Sequence, residues 1–197
     1  MKIIKTLSLA AVISSFFLAA CSAPSNTLTF NPTAPTSSTA FNTGNQKAIV
    51  SVVTKDERRQ PEISAYTHEG QLHKLSSSPD ITALFQQIIQ QDLNAKGFRL
   101  SDTGANTNIL VTVKEFYAKV DEGTIRHKIT SRIQLEIHVQ GAKGNYTKNM
   151  GSSRVDEGAL GVNNKDIQQS LDATLKEVVN ALYNDQEIAN AIRQYAS

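Results

Sequence analysis

The side chains able to do chemistry in this 197-residue chain are few, and its four histidines are scattered. His68, His73, His127 and His138 make no H-x-x-x-H pair, so they read as solvated or structural rather than as metal ligands. Asp56-Glu57-Arg58-Arg59 reads as a solvated loop, because neighbouring carboxylates in a loop do not fix the separation that acid/base chemistry needs. Gly141-Ala142-Lys143-Gly144-Asn145 lacks the order of a phosphate-binding loop and reads as a hairpin turn. Gly151-Ser152-Ser153 lacks the pattern of a nucleophile elbow. Asp156 to Gly161 reads as a connector between a strand and a helix, a position where binding loops also occur. Cys21 is the single thiol, which excludes an intramolecular disulfide and a Cys-rich zinc site. No catalytic, cofactor-binding or metal-binding set is therefore expected. A catalytic reading would need at least two groups converging from His127, Glu115, Glu157 and Asp156.

The setting of Cys21 says more. Lys2 and Lys5 precede an apolar run from Leu7 to Phe17, broken only by Ser8, Ser14 and Ser15. At about 1.5 Å per residue this run is too short to cross a hydrocarbon layer of about 30 Å, so residues 1–20 read as a secretory signal that is removed. Leu18-Ala19-Ala20-Cys21 resembles the bacterial lipobox, which implies cleavage just before Cys21 and lipid on its thiol. Such an anchor binds a membrane through buried methylenes, each contributing about 0.8 kcal/mol. Ser22 in place of Asp favours the outer over the inner membrane, on the periplasmic side. The chain has 20 basic and 18 acidic residues, and loss of Lys2 and Lys5 leaves 18 of each. No polybasic cluster remains for anionic lipid or nucleic acid.

The elements that must position these groups follow from pattern. Residues 21–46, rich in Ser, Thr and Pro, read as a tether, with Thr27-Leu28-Thr29-Phe30 alternating like a short edge strand. Residues 47–197 read as a single globular domain. Ala48 to Thr54 predicts a strand, and Ile63 to Thr67 with Leu72 to Leu75 a hairpin. A helix is predicted from Pro79 to Lys96, capped by Ser78 with Pro79 at its first position, and another from Lys165 to Tyr183. A short third helix covers Glu187 to Tyr195. Ile129, Ile133, Leu135, Ile137 and Val139 share one strand parity and Thr130, Arg132, Gln134, Glu136, His138 and Gln140 the other. Between Asn108 and Val120 the parity reverses, which predicts a β-bulge near Lys114-Glu115. Tyr146 to Val155 completes the meander. The sum is an α+β fold: an antiparallel sheet of about four to five strands, two main helices packed on one face in a two-layer sandwich, and a short C-terminal helix.

Arg126, Lys128, Arg132, Glu136 and His138 then line the face away from the helices, as a solvated surface or a partner surface. The lipobox, Pro24, Asn26-Thr27-Leu28, Tyr117-Ala118-x-Val120-x-x-Gly123-x-x-Arg126, Thr147-Lys148-Asn149, Glu157-Gly158-Ala159 and Asn164-Lys165-x-Ile167 resemble the YajG family of uncharacterised bacterial lipoproteins. The resemblance implies a lipid-anchored envelope protein and carries no catalytic residues to transfer. The expected function is a non-enzymatic accessory or binding lipoprotein facing the periplasm, attached through lipid on Cys21, with an envelope protein as partner. The alternatives are an enzyme acting on cell-wall or lipid material and an apolar-ligand carrier.

Overall fold

Alternation of apolar and polar residues from Thr107 to Ala159 builds a meander of three long strands, and the remaining elements are arranged around it. A computed structural model describes residues 25–34 and 41–196; the expected leader, residues 1–20, and Cys21 lie outside the described residues. The strands are β1 (Thr27–Thr29), β2 (Ile49–Asp56), β3 (Ser64–His68), β4 (Gln71–Ser78), β5 (Arg99–Leu100), β6 (Thr107–Glu122), β7 (Arg126–Gly141) and β8 (Gly144–Ala159). The helices are α1 (Ile81–Ala95), α2 (Asn164–Asn184) and α3 (Glu187–Tyr195).

The expected antiparallel sheet of four to five strands with two main helices is corrected. The eight strands form one mixed sheet, with three helices beside it. β6–β7, β7–β8 and β3–β4 are antiparallel, whereas β2–β6, β2–β5, β3–β6 and β1–β4 are parallel. The physical reason is the crossover: α1 lies between β2 and β6 in the chain, and a helical crossover returns the chain in the same direction. The count rises because the β3–β4 hairpin joins the same sheet through β6 and because three-residue β1 and two-residue β5 pair along its edges.

One edge of β6 pairs with β7 throughout. The opposite edge is shared end to end: Thr107–Val113 pairs with β2, and Ala118 and Lys119 pair with β3. The register shift between Val113 and Glu115 falls in the gap between these two partners, where the parity reversal places it.

Register shows which side each helix takes. Thr54 pairs with Val111, Val111 with Ile137 and Ile137 with Lys148, so these side chains share a side. On that side Thr54 donates to Gln86 of α1, Ser131 bonds to Ser170 of α2, and Lys148 meets Asp185 and Glu187 at the start of α3. Val111, Val113, Phe116, Ile133 and Ile137 on this parity are wholly buried, as are Leu84, Phe85 and Leu171 from the helices. Leu28 and Phe30 join the core from the segment read as tether, with the Phe30 ring edge-on to Phe116 at 5.2 Å.

α1 begins later than predicted. β1 pairs Thr29 with Ser78 and holds Ser78 extended, so Asp80 is the cap, its carboxylate accepting from Ala83 N at 2.9 Å. β8 runs on to Ala159 because β7 supplies partners as far as Arg126, so Asp156–Ala159, read as connector, is strand.

The ends of α1 and α2 are joined by a buried charge. Lys96 Nζ donates to Asp92 at 2.8 Å, to Leu182 O at 3.3 Å and to Asp185 O at 2.9 Å. Desolvation, only partly offset by Lys96, pushes the Asp92 carboxyl up to about 6. Between its ordinary value of 3.8 and about 6 the folded chain keeps a proton that the unfolded chain loses, so this group's contribution to stability declines as pH rises through that window. Lys96→Met, which orphans a buried carboxylate and removes the donor to Asp185 O while Leu182 O keeps Asp185 N, is expected to cost about 3–5 kcal/mol. Asp92→Asn costs less and removes the decline between pH 4 and 6; urea unfolding across pH checks both.

Candidate functional site

The other parity of the long strands is not covered by a helix among the described residues. Lys128, Thr130, Arg132, Gln134, Glu136 and His138 of β7 stand beside Glu157, Val155, Ser153, Gly151, Asn149 and Thr147 of β8. His138 Nδ1 lies 2.8 Å from the Thr147 hydroxyl. The face bears the charges expected of it, with Arg126 at its end opposite Ala159.

A depression of about 490 Å³ opens on this face where β6 bulges, lined among others by Arg59, Gln60, Lys114, Tyr117, Gln134 and Asn149. The geometry follows from the seam between β2 and β3. Residues 57–63 leave the sheet there, and Arg58 folds back to close the gap. Its guanidinium holds Asp56 through two bonds at 2.9 and 2.8 Å and donates to the carbonyls of Pro61, Glu62 and Phe116 at 3.2 to 3.4 Å. Burial works against ionisation of Asp56, but the Arg58 hydrogen bonds hold its carboxyl below the usual range. Arg58, read as part of a solvated loop, is therefore a structural residue with its side chain only 8% exposed.

Around the rim each charge has a partner of opposite sign or stands in water. Lys114 donates to Glu57 at 2.8 Å and approaches Glu136 at 3.7 Å. That hydrogen bond holds Glu57 low and Lys114 high. Arg132 approaches Glu115 at 3.9 Å. The depression thus combines cations, amides, the Glu115 carboxylate and a half-buried tyrosine, a surface able to recognise polar groups. The parity reversal near Lys114 signals where it lies; the contribution of Arg59 and Gln60 has no signal of its own, because a loop's return path is not periodic.

The four candidate catalytic groups do not gather. Glu115 and Glu157 are on the open face, whereas His127 and Asp156 face the helices. The last two border one groove, yet their bonds lead elsewhere. His127 Nδ1 lies 2.8 Å from Leu160 O, which as a carbonyl requires the proton on Nδ1, and its ring lies over Gly158, where a Cβ would come within 2.5 Å of it. Asp156 accepts from Ser170 at 2.7 Å and Arg154 at 2.9 Å, and Ser170 lies 2.6 Å from Ser131. His68 and His73 lie on the β3–β4 hairpin, with His73 stacked on Tyr66 at 5.2 Å. Among the described residues no three His, Cys, Asp or Glu side chains cluster as a metal site.

A mixed α+β domain with helices on one side of its sheet and a polar face open on the other, among the described residues, is the class that the fold and site define. The profile of a family described as uncharacterized lipoprotein, Lipoprotein_16, matches residues 34–193, and the chain belongs to that family. The chain is similar to the uncharacterized lipoprotein YajG of Escherichia coli strain K12, with 27% identity over 188 residues covering 94% of this chain and 95% of the relative. The same values hold for YajG of Escherichia coli O6:H1. The YajG resemblance is thereby shown. Its fold is similar to the crystal structure of XCC0632 from Xanthomonas campestris, with a TM-score of 0.58 and 10% identity, covering 85% of this chain and 95% of the other. No helix among the described residues is long and apolar enough to cross a membrane.

Arg58→Ala removes the donors that serve the Phe116 carbonyl and leaves Asp56 without its cation. The expected loss is about 2–3 kcal/mol, with Arg58→Lys recovering less than half because an ammonium cannot bridge the same fork. The urea unfolding midpoint of each variant reads the difference.

Proposed function

We propose that this lipoprotein is a non-enzymatic accessory or binding module, held by lipid on Cys21 at the periplasmic side of the envelope, with the outer membrane favoured by Ser22. The observation that supports the reading best is the open sheet face with its depression at the bulge, where Arg59, Tyr117, Gln134 and Asn149 present donors and an aromatic surface. An envelope protein is the favoured occupant: anchoring confines both to one surface, so modest affinity suffices.

The two alternatives have less support. An enzyme acting on cell-wall or lipid material needs converging titratable groups, and Glu115, Glu157, His127 and Asp156 are divided between the two faces. An apolar-ligand carrier needs a hollow between helices and sheet, where Leu84, Phe85, Val111, Phe116 and Leu171 are instead packed without exposure.

Photo-crosslinking groups placed at Tyr117 and Gln134 in living cells are expected to capture one recurrent envelope protein that the same group at exposed Asn180 of α2 does not. Equal capture from both faces would end the reading. Separately, Cys21→Ser is expected to abolish palmitate labelling and move the protein from the membrane to the soluble periplasmic fraction.

A further inference from the structure

The start of the described chain and its most exposed apolar side chains lie at one end of the molecule. The β3–β4 turn, the β6–β7 turn and the segment after β8 all reach that end. Leu160 N donates to Ile125 O at 2.9 Å, tying two of these segments together, and Gly161 lies against the His68 ring. The three most exposed large apolar residues among those described are here: Leu160 at 76%, Ile125 at 71% and Leu72 at 63%.

Leu160 also has a φ of +66°, the left-handed region that disfavours a bulky L residue. Glycine would adopt it without strain. The Leu160 backbone is held there by the bonds to Ile125 O and His127 Nδ1, while its side chain stays in water. Strained backbone of this kind persists where surrounding bonds fix it, and it clusters at functional surfaces.

The chain arrives at the same end. β1 is parallel to β4, so passing backwards from Thr27 to Ser25 moves towards the β3–β4 turn. Asn164, the first residue of α2, donates to Ser25 O at 3.0 Å and accepts from the Tyr66 hydroxyl at 2.6 Å, which sets Ser25 beside the segment that carries Leu160. Cys21 precedes Ser25 by four residues, a span of at most about 14 Å even when fully extended. With residues 27–29 paired into the sheet, that short span sets how far Cys21 can stand from this end of the domain.

We infer that this end of the domain docks on the bilayer surface, with Leu160, Ile125 and Leu72 entering the interface beside the lipid on Cys21. The inference rests on the lipid-anchor reading above. Charge fits apolar insertion rather than electrostatic attraction: Arg126, Lys128 and Lys165 near this end are outnumbered by Glu69, Glu122, Glu157 and Asp166. The open sheet face then rises from the membrane edge-on, leaving the bulge depression accessible.

The chain contains no tryptophan, so one introduced residue reports its own surroundings. Leu160→Trp and Ile125→Trp, and Asn145→Trp at the start of β8 beside the opposite β7–β8 turn, are prepared as mature lipidated protein in phosphatidylcholine vesicles containing brominated lipid. Blue-shifted emission and quenching at least three times stronger for the first two variants than for Asn145→Trp are expected. Equal, water-like emission and equal quenching in protein that floats with the vesicles would overturn the docking while leaving the anchor intact. Protein that does not float would overturn the anchor, and the docking with it.

Discussion

β6 has sixteen residues of edge on each side, and on one of those sides no single strand fills it. Every backbone donor and acceptor left open within a sheet must find a partner, since an unpaired buried group costs as much as a hydrogen bond gains. The chain meets this constraint by laying β2 and β3 along the same edge in the same direction and filling the seam with Arg58. A flexible cation whose five donors can serve several carbonyls is suited to that task, and Asp56 holds it in place. The bulge at Lys114 follows from the same discontinuity, because it lets Val113 and Phe116 both point to the core although an odd step separates them.

From this seam the sheet divides into two branches, β2–β5 and β3–β4–β1. α1 packs over the first, α2 lies on the β7–β8 side, and the buried Asp92–Lys96 pair fastens the end of α1 to the end of α2. One rigid layer therefore spans a divided sheet. The depression at the bulge opens on the opposite side of the discontinuity, so structural irregularity and candidate binding surface have one origin. The conformational cost of departing from a regular ladder is confined to a few residues there.

Much of this was legible in the residues. The parity of β7, the reversal near Lys114 and the extents of α2 and α3 come from side-chain periodicity, which is set by the backbone itself, whereas the weakly apolar arms of the hairpin over 62–75 leave that pairing undecided in the sequence. Strand direction is different. Ile49 to Asp56 reads alike in a parallel or an antiparallel sheet, and only the helix that follows before β6 hints at the crossover. Thr27–Thr29 and Arg99–Leu100 are too short to carry a period. Ser78 and Asp80 are both competent caps, and the choice between them is made by a distant strand, β1, that fixes Ser78. On the site, the polar parity was readable, whereas Arg58 was not: its role depends on a loop folding back onto a carbonyl far away in the chain. Glu115, His127, Asp156 and Glu157 look equally promising as letters, and register alone divides them between opposite faces.

The β7–β8 turn has a further dependence. A Cβ on Gly141 would stand 2.1 Å from the Tyr195 carbonyl oxygen, and one on Gly144 would stand 2.8 Å from its ring, so the end of α3 rests directly on bare backbone. Asn106 Nδ2 also donates to Ala196 O at 3.0 Å, tying the start of β6 to the same segment. A ribosome makes residues 187–196 well after the hairpin they cover. Until they emerge, the apolar underside of the meander is open at that end, and the unfinished molecule needs shelter from its neighbours there for longest.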